Sequence, residues 1–155
     1  MATERWTVFK GGVSHTFEAD IEVVADFVEP CGYCGVPCSG TIRIWYADGG
    51  KRMVFEVDRP LLSELLESLV RPGLGREAYQ ALPAFVRDWN EHTGWVSLGI
   101  MDGAVVDGLD LLATVRALEA QGSGADGRTP ALLVALNDFV TRCIREGREL
   151  WAGET

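Results

Sequence analysis

Apolar and polar residues alternate along the N-terminal part of the chain. In residues 17–27 the odd positions are Phe17, Ala19, Ile21, Val23, Ala25 and Phe27, while the even ones include Glu18, Asp20, Glu22 and Asp26. A side-chain period of two belongs to a strand with one buried and one wet face, so a long strand is expected here. Ile42, Ile44 and Tyr46 alternate ahead of Asp48-Gly49-Gly50, and Met53, Phe55 and Val57 alternate behind it. The Asp-Gly pair supplies the positive φ angles of a tight hairpin. With a first strand over residues 6–10 and a turn at Gly11-Gly12, residues 5–58 are predicted to form a four-stranded antiparallel meander.

Beyond Asp58 the apolar period lengthens to that of helices. Asp58 can cap a helix running to Val70, with Pro60 in its first turn and Pro72-Gly73 ending it. A second helical stretch over residues 76–92 must kink or restart at Pro83, which lacks the amide hydrogen of the interior ladder. Residues 95–107 are glycine-interrupted, and Asp102-Gly103 reads as a small hairpin between apolar triplets. Residues 109–120 read as helix and 122–127 as a flexible connector. Thr129-Pro130 then opens a last helix whose stripe comprises Leu132, Leu136, Phe139, Val140, Cys143, Gly147 and Trp151. Strands before helices predict a single α+β domain over residues 1–155, with about four helices in residues 60–151 packed on one face of the sheet.

Composition narrows the class. With 47% hydrophobic and 24% charged residues in 155, the chain has the make-up of a globular domain and is neither disordered, collagen-like nor a coiled coil. Its 23 acidic and 14 basic residues give a net charge of −9. No run of Lys or Arg provides the basic patch that displaces counterions from phosphate, which argues against nucleic-acid binding. The N-terminal residues lack the apolar segment of a secretory signal, and the longest aliphatic run, residues 131–136, is far short of the ~20 residues of a bilayer span. A cytoplasmic protein without a membrane segment is expected.

In a reducing compartment, close cysteines point to metal or free thiols before disulfides. Cys31, Cys34 and Cys38 are separated by two and three residues in the loop after the long strand. Cys-x2-Cys followed by Gly35 lets two thiolates aim at one centre, as tetrahedral Zn²⁺ requires. The segment resembles the knuckle of zinc ribbons, without their second Cys-x2-Cys pair. Cys143, His92 or water are the candidates for a fourth ligand. His15 is a poor one, because it precedes the long strand that Cys31 follows, roughly 40 Å away along an extended chain.

The row Glu18, Asp20, Glu22 and Asp26 is the second feature. No Lys or Arg lies between Lys10 and Arg43, so Arg43, Lys51 or Arg52 must compensate across the sheet if the row is not recognising a basic surface. Asp88 and His92 share a helix face four residues apart, an arrangement able to orient an imidazole and equally common at solvated helix ends. Phosphate-loop, calcium-loop and nucleophile-elbow patterns are absent from the sequence.

The expected function is a small acidic, non-enzymatic module that binds a protein with a basic surface, of the inhibitor, immunity or anti-defence kind. The alternative is a metal-dependent enzyme or regulator using an open zinc site at Cys31, Cys34 and Cys38. A third reading is a subunit of an assembly, a homo-oligomer included, with a strand edge, Trp45 or Trp95 at the contact.

The zinc reading predicts that chelation lowers the melting temperature and loosens residues 29–40 while the sheet survives, and that Cys34→Ser does the same. Elemental analysis and thermal unfolding of the wild type and Cys34→Ser check it. A metal-free wild type, or equal zinc in both proteins, counts against the site.

Overall fold

A computed structural model describes residues 3–10, 13–28, 33, 35, 40–70, 73–91, 103–121 and 128–154. Among them lie six strands and five helices: β1 (Thr3–Lys10), β2 (Val13–Phe27), β3 (Thr41–Asp48), β4 (Lys51–Asp58), α1 (Arg59–Glu67), α2 (Arg76–Gln80), α3 (Ala84–Glu91), β5 (Gly103–Val106), α4 (Gly108–Ala120), α5 (Arg128–Arg145) and β6 (Leu150–Glu154). The fold is α+β, and the strands close into a barrel in the order β1-β2-β4-β3-β6-β5.

The expected meander is corrected. β1 with β2 and β3 with β4 are antiparallel, but β2 is flanked by β4, to which it runs parallel. The β3–β4 hairpin therefore docks on β2 through its second strand, with β3 on the far side of β4. At the hairpin Asp48 faces Lys51, and Gly49 takes the expected positive φ of 63°.

β2 begins at Val13, so His15 lies within it and not ahead of it. A β-bulge between Val23 and Ala25 sets two residues of β2 against one of β4. Before it, Ile21 and Val23 are level with Arg52 and Val54; after it, Ala25 and Phe27 are level with Phe55 and Val57. Consecutive β4 residues point to opposite faces, so the buried side of β2 changes face at Val24. Ile21 accordingly packs on Trp45, Val54 and Trp151, whereas Ala25 and Phe27 pack on the larger core with Ile42, Ile44 and Phe55. Phe27 and Phe55 stack with ring centroids 5.7 Å apart.

The larger core also takes Leu62 and Leu66 of α1, Phe85 and Trp89 of α3, Leu111 and Val115 of α4, and Leu132, Leu136, Phe139 and Val140 of α5. Pro83 restarts the second helical stretch as α3. Asp110, in the first turn of α4, accepts hydrogen bonds from the amides of Ala84 at 2.8 Å and Phe85 at 2.6 Å, so one carboxylate serves the N-termini of two helices. Asp107 caps α4 itself, accepting from the Leu109 amide at 3.0 Å. Asp58 occupies the cap position of α1 without a side-chain cap bond.

Helix α5 ends before its expected stripe does. Gly147, with φ 66°, donates to Ile144 O and Arg148 donates to Cys143 O, both at 3.0 Å. This left-handed cap satisfies the last carbonyls and turns the chain back. Leu150 to Ala152 then form part of a strand between β3 and β5 in place of another helical turn. β5 itself lies in the predicted glycine-interrupted region, and its antiparallel partner is β6; its other neighbour is β1, in parallel.

Asp110→Ala leaves two amides at the α3 N-terminus without their acceptor and is expected to cost about 2 kcal/mol, with Asp110→Asn losing less. Urea unfolding midpoints of the three proteins measure this.

Candidate functional site

Apolar side chains occupy both faces of β3 and β4. Ile42, Ile44 and Tyr46 face the helices, and Trp45, between them, turns the other way. Opposite it in register are Val54 on β4 and Trp151 on β6. Trp45 and Trp151 stack nearly parallel, 9° between planes and 5.5 Å between centroids. The guanidinium of Arg52 lies 4.3 Å from the centre of the Trp45 ring, and Arg52 is only 1% exposed. A cation held against an indole face in such a site is stabilised by the ring quadrupole.

Above this cluster, between the β3–β4 turn and the turn joining α5 to β6, opens a cavity of about 440 Å³. Glu18 and Ala19 of β2, Ala47, Gly49, Gly50, Lys51, Gly147, Arg148 and Glu149 complete its lining. Arg148 bridges to Asp48 at 3.2 Å and ties the two turns together across the mouth.

The acidic residues fall into two groups. Glu18, Asp20 and Glu22 remain on one face of β2, but the bulge carries Asp26 to the other, level with Glu56. Arg43 and Glu56 form a cross-strand ion pair there at 3.2 Å. The compensation expected from Arg43, Lys51 and Arg52 is thus divided: Lys51 lies opposite Asp20, Arg43 joins Glu56, and Arg52 covers Trp45. Arg5 of β1, which the strand pattern did not single out, donates to Glu18 at 2.8 and 3.1 Å, and Thr3 donates to Asp20 at 2.8 Å. Glu22 is exposed, and Asp26 accepts from the Val28 amide at 3.0 Å.

Cys31, Cys34, Cys38, His92 and Trp95 lie outside the described residues, and among the described residues no three His, Cys, Asp or Glu side chains converge as metal ligands. Cys143 is buried at 1% exposure among the α5 core residues, and its thiol donates to Arg148 O at 3.3 Å. Burial, and after it Glu146, pushes the thiol up to about 11. Asp88 lies beside Asp107 and Asp110 at a second cavity of about 140 Å³. Trp45 is buried, which removes it as an exposed contact residue, and among the described strands the sheet edges are paired with one another. No described helix is long and apolar enough to cross a membrane.

The missed cluster had a sequence signal. Trp45 between Ile44 and Tyr46, and Val54 between Met53 and Phe55, are apolar runs that place hydrophobic side chains on both faces of a strand, as burial on both sides demands. No family model, curated protein or solved structure matches the chain.

Folding holds the Cys143 thiol protonated, whereas in the unfolded chain it ionises near 9.0. Its contribution to stability is full below that pH and is lost as pH rises toward about 11. Relative to Cys143→Ala, the wild type is expected to lose on the order of 2 kcal/mol across this interval. Urea unfolding of both proteins at a series of pH values measures the difference.

Proposed function

We propose that the protein is a non-enzymatic binding module, a single domain acting in the cytoplasm as an inhibitor, immunity or anti-defence protein whose partner carries a basic surface. The observation that supports this reading most is the row of Glu18, Asp20 and Glu22 on one face of β2, a strand hydrogen-bonded on both sides by β1 and β4. Alternate residues of a strand stand roughly 6.6 Å apart, so the carboxylates are displayed at a defined spacing with little ordering left to do on binding. Glu18 and Glu22 are exposed, and the Arg5–Glu18 pair, with side chains 71% and 58% exposed, is a solvated contact that a partner's cation can exchange into at small cost. The chain's net charge of −9 adds long-range attraction to the same kind of partner. In this reading zinc held by Cys31, Cys34 and Cys38 ties the loop between β2 and β3 and takes no part in chemistry.

Reversal of charge at Glu18→Lys with Glu22→Lys is expected to slow association roughly tenfold at low salt and to flatten its salt dependence, since exposed charges act chiefly on encounter. The wild type and the double variant are used as matched baits, the retained protein is identified, and its association kinetics are measured from low to high ionic strength. Equal rates and equal salt slopes for the two baits, with the fold of the variant verified by circular dichroism, overturn the reading.

A further inference from the structure

Each described strand has two neighbours, but β4 accompanies only the second half of β2. β1 pairs with residues 13–20, whereas β4 begins its pairing at Asp20, opposite Lys51. Along residues 13–19, on the side away from β1, no described strand runs. The Asp20 amide donates to Gly50 O at 3.3 Å, so its backbone is turned to that side. Backbone direction alternates along a strand, and Ser14 and Glu18 therefore turn their amides and carbonyls the same way. The line of β4 continues past its first residue into open space. The barrel-mouth cavity borders Glu18, Ala19, Gly49 and Gly50, and a Cβ added at either glycine meets nothing within 4 Å.

We infer that this edge of β2 is a self-association site, at which the same segment of a second copy pairs antiparallel about a two-fold axis at Thr16. Ser14 then lies opposite Glu18 of the second copy, and by symmetry Glu18 lies opposite its Ser14, each pair exchanging main-chain hydrogen bonds. Ser14 and Glu18 are exposed and share a face. Both Arg5 hydrogen bonds fall on Oε1 of Glu18, which leaves Oε2 to accept from the Ser14 hydroxyl across the axis. Arg5 also compensates Glu18 within its own chain, and Glu18 is the one acidic residue of the segment, so two acidic copies meet here without opposed carboxylates. On the other face Val13, 57% exposed, comes opposite Ala19 of the second copy. Sliding the copies two residues toward Asp20 calls on an amide that Gly50 already holds, and sliding them four sets Glu18 against Glu18. Glu18 belongs to the acidic row as well, so a basic partner bound there and a second copy exclude each other. Self-association is measured on the chain alone and does not depend on that partner.

Sedimentation equilibrium of the full chain over a concentration series, at low and at high ionic strength, is the test. One strand pair is a small contact beside a standard interface, so the expected dimer is weak, with Kd on the order of 0.1 mM and the series reaching about ten times that value. It tightens at high salt, because each copy carries a net charge of −9. Ser14→Pro removes an amide that points away from β1 and a hydroxyl, once in each of the two pairs, and Ser14→Asp sets a carboxylate against Glu18. Each is expected to weaken the dimer at least tenfold, with the Ser14→Asp effect shrinking as salt rises. If Ser14→Pro loses its cooperative thermal transition, Ser14→Asp, at an exposed position, decides. A chain that stays monomeric through the series, a dimer equally tight in the folded variants, or assemblies larger than a dimer overturn the inference.

Discussion

One strand has to serve two cores. Ile21 of β2 packs on the Trp45–Val54–Trp151 cluster, Ala25 and Phe27 pack on the helix-packed core, and the two clusters lie on opposite faces of β4. A regular strand cannot do this, because its side-chain period of two keeps every alternate residue on one face. The extra residue at the Val23–Ala25 bulge resolves the conflict. Ile21 and Phe27, both odd-numbered, reach different cores, and the row of carboxylates is cut after Glu22 by the same step. The acidic surface is therefore shaped by a packing requirement as much as by charge.

The smaller core shows how a polar group is accommodated under such a constraint. Burying a guanidinium costs several kcal/mol of hydration unless the surroundings replace it. Around Arg52 the replacement includes the face of Trp45, itself backed by Trp151 from β6. Stacking and cation–π contact thereby link β4, β3 and β6 across three adjacent positions of the barrel. The Arg148–Asp48 bridge repeats the link at the rim, between the turn that ends α5 and the hairpin that joins β3 to β4.

Much of the secondary structure was legible in local pattern. The alternations in residues 17–27, 42–46 and 53–57 are strands, the Asp48-Gly49 turn closes a hairpin, and Pro83 restarts a helix. What escaped was information carried between distant segments. Strand order depends on which strand of the β3–β4 hairpin pairs with β2, and the alternation within each strand is the same either way. The bulge left only one trace, the adjacent pair Val23-Val24, where an apolar residue takes an even position. β6 was hidden because Leu150 and Trp151 continue the helical spacing of α5 while Gly147, four residues earlier than Trp151, has already ended the helix. Of the candidate sites, the three carboxylates before the bulge share a face as read. The apolar runs around Trp45 and Val54 signal burial on both faces, but not the cavity, whose lining comes from β2, β3, β4, β6 and two turns that meet only in the closed barrel.

The placement of β6 bears on how the barrel comes together in time. Its two neighbours are β3 and β5, which are not hydrogen-bonded to each other, so the circle stays open until residues 150–154 lie between them. The β3–β6 pairs join Ile42 to Glu154 and Trp45 to Trp151, contacts of very high sequence separation whose loop-closure entropy must be met before any bond is gained. A chain caught before this step has β2, β4 and β3 assembled with one edge of β3 unsatisfied, the kind of surface that other chains pair with. Gly147, by stopping α5 and reversing the chain, leads directly from a helix packed on the core into the strand that fills this slot.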